Sequence, residues 1–307
     1  MTRSLPWSTY FSLSSKLFQC LLAAGLLFIQ LSATALAGII PEQISFQNIL
    51  ENKDIALGEG ASFLQDSDGF MWLGGANMLI RYDGVEFRRI DISDIENKPN
   101  EKQAVQFSES IFEDSHHTIW VASRAGLLRY DRNIEKLVRL KDDDTQTAKI
   151  SEVGLLRMAE LASGELLVAG NTGLFIVNTT TLKYTFITTD KSKPDGLKAA
   201  RINAIFVESP NTIWLGTEVG LQKLDWETKT FSFYSPNPEK PSALLDNRVM
   251  DIAPDGEEKL WIATQNGLVH FDPKTGAMKR YLNDPADRFS LGGNDIWDLM
   301  MDSKGAL

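Results

Sequence analysis

A block of about 47 residues recurs along the chain, and this period restricts the possible fold more than any other feature. One marker of the block is a Trp or Leu whose copies are separated by 48, 47, 47 and 47 residues, and an Asp or Asn repeats the same spacings. A fixed period of roughly 20 to 50 residues is typical of solenoids, propellers and repeat arrays. The two markers are Trp72, Trp120, Leu167, Trp214 and Trp261, and Asp83, Asp131, Asn178, Asp225 and Asp272.

Each block contains four short segments rich in β-branched and aromatic residues. In the fifth copy the segments are RVMDIA, KLWIAT, GLVHFD and AMKRYL, and the turns between them are PDGEE, QNG and PKTG. Such segments predict strands joined by hairpins, whereas a helical repeat would show a period of about 3.6 residues. The chain is therefore predicted to be all-β, a β-propeller built from four-stranded blades of about 47 residues.

The repeat count predicts about five blades and the start of a sixth. Adding one period to Trp261 gives position 308, so the chain stops one residue before the next expected Trp. We therefore expect an incomplete ring and interpret the sequence as a fragment of a longer protein. The predicted repeat cores lie near residues 61–90, 109–140, 154–187, 203–234 and 249–281, with a partial core at 295–307.

The repeated positions have predictable structural roles. The Trp falls in the second strand, where it can fill the gap between neighbouring blades. A small residue follows two positions later, as expected where strands crowd together, and a Gly begins the third strand, as expected for a turn with positive φ. Leu167 replaces the Trp in the third copy, and Met78 replaces the Gly in the first.

Residues 1–37 are predicted to be a secretory signal peptide, and residues 38–307 the propeller. Arg3 and Lys16 precede an apolar run of fifteen residues, and the sequence ALAG supplies small residues around a cut after Ala37. A retained membrane anchor is the alternative, but the run is shorter than the ~20 residues of a spanning helix. The predicted location is the periplasm. Cys20 is the only cysteine, so the exported chain would have no disulfide and no thiolate site.

The charge and the motifs exclude several classes of function. The formal net charge is −10, or −12 without the predicted signal peptide, which argues against nucleic acid or an anionic membrane surface as a partner. No HExxH, GxSxG, CxxC or phosphate-binding Gly-Lys-Ser/Thr pattern occurs. We therefore predict no catalytic, metal-binding or cofactor-binding residue, and no cofactor.

Several polar residues have a structural interpretation and a chemical one. His116 and His117 lie in the turn EDSHHT and are interpreted as solvated, and His270 as a strand residue. The turn DSDG lacks the ligands of a calcium loop and is interpreted as a hairpin turn. The run Asp142–Asp144 is interpreted as a solvated loop. Paired carboxylates of a glycosidase stay open, because their separation in space is not readable from the sequence.

The connectors between blades differ in length and charge, while the strands keep their pattern. Binding residues of rigid scaffolds are usually carried on such loops. We therefore expect the ligand face to involve the connectors at residues 91–107, 141–152, 188–202, 235–247 and 282–293.

Copies such as FLQDSDGFMWLGGANMLIRYDG and NTIWLGTEVGLQKLD, with the connector YSPNPEKPSALLDNRVMDI, resemble the two-component-regulator propeller repeat. The resemblance covers essentially all of residues 44–307. In that family the repeats build extracytoplasmic sensor domains, commonly two seven-bladed propellers followed by a β-sandwich module, one membrane helix and a cytoplasmic output. The output is often a histidine kinase, sometimes a hybrid with a receiver, and in other members a diguanylate cyclase.

The resemblance implies a ligand-sensing propeller, the input module of a membrane-bound sensor kinase or diguanylate cyclase, without enzymatic activity in this chain. It also implies a small-molecule or oligosaccharide ligand and an inner-membrane anchor in the complete protein, and it allows a homodimer. A secreted propeller enzyme, either a lyase or a glycan hydrolase, and a protein-binding propeller are the alternatives.

Overall fold

The fold is almost entirely β-sheet. A computed structural model describes residues 62–307 except 76–77, 93–109, 125, 143–147, 191, 238–242, 245, 257 and 303–304. These residues form twenty strands and one turn of 3-10 helix, Ile150–Glu152. The predicted signal peptide and most of the first connector lie outside the described residues.

Five antiparallel sheets of four strands, here called blades one to five, follow one another along the chain. Each blade uses four consecutive strands, and strands that are adjacent in sequence are adjacent in the sheet. The strands are, in blade one, β1 Ser62–Gln65, β2 Met71–Gly74, β3 Leu79–Tyr82 and β4 Phe87–Ile90; in blade two, β5 Ser110–Glu113, β6 Ile119–Ser123, β7 Gly126–Asp131 and β8 Lys136–Arg139; in blade three, β9 Leu155–Glu160, β10 Glu165–Gly170, β11 Leu174–Asn178 and β12 Tyr184–Ile187; in blade four, β13 Ile202–Ser209, β14 Thr212–Thr217, β15 Gly220–Asp225 and β16 Thr230–Tyr234; and in blade five, β17 Val249–Pro254, β18 Leu260–Thr264, β19 Gly267–Phe271 and β20 Met278–Tyr281.

This architecture confirms the prediction of an all-β propeller with an incomplete ring. The first strand of each blade contacts the first strand of the next, in the order β1, β5, β9, β13 and β17. The second strands are the most buried, since each lies inside its sheet and is covered by a neighbouring blade. The described blades do not close into a ring.

Residues 295–307, predicted as the start of a sixth blade, contain no strand among the residues that the structure describes. The segment lies against the turn between β18 and β19, where the Ile296 N–H donates to the Thr264 carbonyl at 3.1 Å. The Gly267 N–H likewise donates to the Asn294 carbonyl at 2.6 Å. A strand is held by a ladder of hydrogen bonds to a neighbouring strand, and these bonds instead attach the segment to the end of a blade.

The hydrophobic core is divided among the gaps between blades. The Trp72 ring of blade one lies 4.9 Å from the Tyr130 ring of blade two in an edge-to-face arrangement. The Trp214 ring of blade four lies 5.6 Å from the Phe271 ring of blade five in the same arrangement. Trp120 of blade two belongs to one buried cluster with core residues of blade three, such as Leu166 and Phe175. The predicted role of the repeated Trp in filling these gaps is therefore confirmed in blades one, two and four.

Small residues occur where two strands approach closely. A Cβ on Gly216, two residues after Trp214, would lie 2.7 Å from the Val249 Cγ1 of blade five. Gly220 begins β15 with a φ of 140°, and a Cβ there would lie 2.5 Å from the Tyr234 carbonyl oxygen. Both sequence-based expectations for these positions are confirmed, because neither close approach leaves room for a side chain.

The connectivity places two kinds of loop at opposite ends of every blade. In four antiparallel strands the first and third turns lie at one end, here called the hairpin face. The second turn lies at the other end with the connector to the next blade, and this end is here called the connector face. The predicted ligand-binding connectors therefore share one face with the second turns.

Candidate functional site

A cavity on the connector face is the strongest candidate ligand site. Its volume is about 360 Å³, and its lining residues come from three consecutive blades. This volume is near the lower end of the range for small-molecule pockets, roughly 300 to 1,000 Å³, and suits a ligand about the size of one sugar residue. The cavity is lined by Arg124, Gly154, Leu156, Asn171 and Arg201.

The blade geometry brings these residues together. Arg124 and Asn171 lie in the second turns of blades two and three, directly after β6 and β10. Gly154 and Arg201 directly precede the first strands β9 and β13. Because the first strands of neighbouring blades are in contact, the loop ends on the connector face converge at this point.

Because Gly154 has no side chain, the Asn171 amide group has room to lie in the cavity wall. The Asn171 N–H donates to the Gly154 carbonyl at 3.0 Å, which joins the second turn of blade three to the start of β9. A Cβ on Gly154 would lie 2.7 Å from the Asn171 Nδ2, closer than real Cβ contacts allow. A larger residue at this position would therefore displace the amide group from the cavity.

Arg201 is held at its Nε atom. This atom donates to the Asn203 Oδ1 at 2.9 Å and lies 3.5 Å from the Glu218 Oε1. Asn203 is only 7% exposed and donates in turn to the Val249 carbonyl of blade five at 3.0 Å. A buried side chain that is itself bonded to the next blade therefore positions the guanidinium group.

The cavity is basic in an acidic protein. The chain has 41 Asp and Glu residues against 31 Lys and Arg residues. Two of the five lining residues are nonetheless arginines, and none of the five is acidic. The nearby carboxylate of Glu218 neutralises part of this charge, because it forms an ion pair with Arg201 in which both side chains are partly exposed.

One side of this cavity lies in a connector that the sequence predicts as part of the ligand face, and the other side does not. Arg201 lies in the predicted connector 188–202. Arg124 and Asn171 lie outside the predicted connectors, in second turns for which the sequence predicts only a tight turn. The signal was present in the repeat: the residue four positions after the Trp marker is Arg124, Asn171, Glu218 or Gln265, so its charge changes while the flanking strands keep their pattern.

The three histidines lie away from this cavity. His116 and His117 lie in the first turn of blade two, on the hairpin face, where both are exposed. The His117 Nδ1 lies 2.7 Å from the Ser67 Oγ of blade one. The His270 ring stacks on Trp261 at 4.4 Å, and its Nε2 bonds to the Asp255 carboxylate at 2.5 Å. These contacts give His117 a structural role at the boundary between blades one and two, and His270 a structural role inside blade five.

The first aspartate of the DSDG turn accepts a hydrogen bond from the repeated Trp. The Asp66 Oδ2 accepts from the Trp72 Nε1 at 2.7 Å, and its Oδ1 accepts from the Phe70 N–H at 2.8 Å. The interpretation as a hairpin turn therefore gains a specific structural role. In the part of the chain that the structure describes, no group of three or more His, Cys, Asp or Glu side chains could hold a metal ion.

Asp142, the described residue of the run Asp142–Asp144, is a partly buried loop residue with specific hydrogen bonds. Its Oδ1 accepts from the Ser151 N–H at 3.1 Å, and its Oδ2 accepts from the Ser151 hydroxyl at 2.5 Å. These bonds fasten the connector between blades two and three to the start of the 3-10 turn. Residues 143 and 144 lie outside the described residues.

Asp251 is the titratable group whose environment is most unusual. It belongs to the first strand of blade five and shares a hydrogen bond with Asp298, the residue one period later. Burial and this second carboxyl group raise the pKa of Asp251 to about 7, although the Leu299 N–H, which donates to its Oδ2 at 2.8 Å, acts in the opposite direction. The two carboxyls are expected to share a proton below that pH.

Comparisons with known proteins support the fold. No protein-family model and no curated protein sequence matches the chain. The extracellular domain of BT3049 from B. thetaiotaomicron, assigned as a hybrid two-component system, matches with a TM-score of 0.59 and 18% identity over 80% of this chain. That of BT4673 from the same organism, also assigned as a hybrid two-component system, matches with a TM-score of 0.53 and 19% identity over 82%. Virginiamycin B lyase from Staphylococcus aureus matches with a TM-score of 0.52 and 14% identity over 75%.

The chain spans only part of the two extracellular domains. It covers 37% of the length of each, and 72% of the length of the lyase. At these identities the similarity establishes the β-propeller fold and leaves the function to be argued from the site. Within the described residues, no helix is long and apolar enough to cross a membrane.

Proposed function

We propose that the chain is the extracytoplasmic ligand-sensing propeller of a membrane-bound two-component sensor. In the complete protein we expect a membrane span followed by a histidine kinase, hybrid or simple, or by a diguanylate cyclase. The observation that carries the proposal is the connector-face cavity. Its polar lining residues come from three blades and differ from one repeat to the next, whereas the strands that hold them keep the repeated pattern. The fold shared with two extracellular domains of hybrid two-component systems supports it.

A ligand in this cavity would contact several blades at once. Arg124 belongs to blade two, Asn171 to blade three and Arg201 to the start of blade four. A ligand shifts an equilibrium between two arrangements only if it binds one of them more tightly. Contacts to three blades provide such a difference, because a change in the angle between blades moves the contact groups relative to one another.

Binding is better supported than catalysis at this site. The fold alone does not separate the two functions, since virginiamycin B lyase is also a propeller. The described residues that line the cavity are two arginines, an asparagine, a leucine and a glycine, which are donors and spacers and not the usual bases or nucleophiles of catalysis. The contact between Asp255 and His270 lies against Trp261 in blade five, away from the lining residues.

Sequencing the gene beyond codon 307 is the first test of this proposal. We expect a Trp codon, further repeats, one apolar span and a kinase or cyclase domain. A stop codon soon after position 307 would contradict the sensor function and favour a small secreted propeller.

Export is tested separately with alkaline phosphatase fused to the C-terminus of the 307-residue chain. The phosphatase is active only outside the cytoplasm, so we expect activity in cells that produce the fusion. Deletion of residues 2–37 is the control and is expected to abolish the activity. Equal activity with and without these residues would contradict the predicted signal peptide.

A further inference from the structure

We propose that the connector-face cavity binds its ligand through a single anionic group, a carboxylate or a sulfate on a molecule about the size of one sugar residue. This inference rests on the ligand-sensing function proposed above and adds the chemical class of the ligand. It follows from the hydrogen-bond donors that line the cavity and from the way in which they are held.

Arg201 presents an unused fork of donors. Its two described contacts, to Asn203 and Glu218, are both made by Nε. Its Nη1 and Nη2, which together carry four N–H groups, make no hydrogen bond to a described residue. A guanidinium edge of this kind matches the two oxygens of a carboxylate or sulfate, and such charge-assisted bonds are stronger than neutral ones.

Asn171 adds a neutral donor from the neighbouring blade. Its backbone N–H is bonded to the Gly154 carbonyl, whereas its side-chain amide has no hydrogen-bond partner among the described residues. The absence of a Cβ at Gly154 leaves the space in which the Nδ2 lies. An amide N–H beside a guanidinium group can bind a further oxygen of the same anion or a hydroxyl next to it.

Arg124 supplies the second positive charge from blade two. It lines the same cavity as Arg201, so the two guanidinium groups belong to one site although they are 77 residues apart in sequence. A pair of like charges in one cavity is unfavourable unless an anion compensates it. Glu218 forms an ion pair with Arg201, and an anion bound in the cavity would be attracted by both guanidinium groups.

The Glu218 carboxylate therefore competes with an anionic ligand for the Arg201 guanidinium group. Its carboxylate lies 3.5 Å from the Arg201 Nε, and the side chains of the pair are 42% and 44% exposed. An exposed pair of this kind contributes little to stability, so its removal should leave the fold intact. Loss of this negative charge should strengthen the attraction between Arg201 and an incoming anion.

The test is calorimetric titration of the purified chain with three sugars that differ only at carbon 6: galactose, galacturonate and galactose 6-sulfate. We expect at least one of the two anionic sugars to bind at least about tenfold more tightly than galactose, the size of one charge-assisted hydrogen bond. Preference for galacturonate or for the sulfate identifies which anion the site takes. Equal or weaker binding of both anionic sugars would overturn the inference, whether or not galactose binds.

Four variants locate the effect. Arg124→Gln and Arg201→Gln should each weaken binding of the anionic sugar about tenfold, whereas Glu218→Gln should tighten it about threefold. Arg132→Gln removes an arginine on the hairpin face, where it pairs with Asp68 at 2.7 Å, and should leave binding unchanged. An equal effect of Arg132→Gln and Arg201→Gln would show a non-specific charge effect and overturn the site. Unchanged thermal unfolding midpoints exclude loss of fold as the cause.

Failure of the anionic-ligand inference can be distinguished from failure of the proposed sensor function. In cells with the complete gene, a neutral sugar that activates the output through this cavity would leave the sensor function standing and overturn the anionic ligand. The absence of any membrane span and output domain in the gene would overturn the sensor function, while galacturonate binding to the purified chain would still support the anionic site.

Discussion

Blades two and three have the same four-stranded architecture but differ at three equivalent positions whose side chains lie close together in each sheet. In blade two a buried carboxylate accepts a hydrogen bond from the indole N–H of the repeated Trp at 2.8 Å. The Trp is paired in register with an arginine on the next strand. In blade three all three positions are aliphatic and buried. The two sets are Asp114, Trp120 and Arg129, and Leu161, Leu167 and Ile176.

The difference shows that these positions change as a unit. A buried indole N–H requires an acceptor, and a buried carboxylate requires donors. Replacement of the Trp alone would leave the carboxylate buried without its donor, so both become aliphatic together. The remaining blades keep a polar set, with the indole-to-carboxylate distance between 2.7 and 3.2 Å, at Asp66, Trp72 and Arg81, at Glu208, Trp214 and Lys223, and at Asp255, Trp261 and His270.

The boundaries between blades show the same contrast. The Ser67 N–H and hydroxyl of blade one donate to the Glu113 carboxylate of blade two at 2.8 and 2.6 Å. Ser115 and Glu160 repeat these bonds between blades two and three at 2.8 and 2.7 Å. At the next boundary the same two positions are Ala162 and Val207. The boundary between blades three and four therefore lacks this polar connection and relies on apolar packing.

The largest effect is expected from introducing a carboxylate into blade three. Leu161→Asp buries a charge next to Leu167, where no indole N–H is available to bond to it. An unpaired buried charge costs about 3 to 5 kcal/mol, and urea unfolding of the purified chain should show that loss. Ala162→Asp, one residue away and exposed, is the matched control and should change the free energy of unfolding by less than about 0.5 kcal/mol. Similar losses in both variants would contradict the comparison.

A smaller effect is expected from removing the indole N–H in blade two. Trp120→Phe keeps an aromatic ring but leaves the Asp114 Oδ2 without its donor, and Asp114 is only 3% exposed. The free energy of unfolding should fall by about 1 to 3 kcal/mol. Trp226→Phe is the control, because the Trp226 indole has no acceptor among the described residues. If the two variants lost the same stability, ring packing alone would explain the repeated Trp.

The polar connection between blades one and two should contribute about 1 kcal/mol, so Glu113→Gln is expected to reduce stability by that amount. Burial acts to raise the pKa of Glu113, but the Ser67 hydroxyl, the Ser67 N–H and His117 together hold it below its usual value. The contribution is therefore present above the ordinary pKa of about 4.3 and is lost as the pH falls. Urea titrations at pH 3.5 and pH 7 should show a smaller difference between the two proteins at the lower pH. The exposed Glu227→Gln is the control.

A local effect is expected at the end of blade five. Ala204 in blade four occupies the position that Asp251 has in blade five. Because the pKa of Asp251 is raised to about 7, its contribution is full below the ordinary pKa of about 4 and is lost as the pH rises through about 7. Hydrogen exchange of the Leu299 amide, corrected for its intrinsic pH dependence, should therefore lose protection between pH 5 and about pH 8.

Asp251→Asn keeps an acceptor for the Leu299 N–H and should remove this pH dependence. Loss of Leu299 protection with rising pH in the variant as well would show that another group is responsible. The corresponding amides of blade four, next to Ala204, serve as the internal reference because no carboxyl occupies that position.

The carboxylate that accepts a hydrogen bond from each repeated Trp could be predicted from the sequence, and so could one side of the candidate cavity. The carboxylate that supports each Trp lies six residues before it in four copies, and Leu161 replaces it in the one copy that has Leu167. This pattern is visible in the repeat, but aspartates are so common in turns that the sequence alone indicates only a turn at this position. Of the residues that line the cavity, Arg201 lies within a predicted connector. Arg124 and Asn171 lie in second turns, and which turns meet at the cavity depends on how the blades are arranged in space.

The sequence by itself determined the period, the four strands of each block, the turns and the buried Trp, because each of these depends on residues close together in the chain. Only the tertiary structure decided which polar groups meet. Ser67 with Glu113, Asp251 with Asp298, and Arg124 with Arg201 are separated by 46, 47 and 77 residues, respectively. Contacts of this kind depend on how neighbouring blades are rotated against each other and on which end of a blade each loop occupies, and the packing of side chains between sheets sets both.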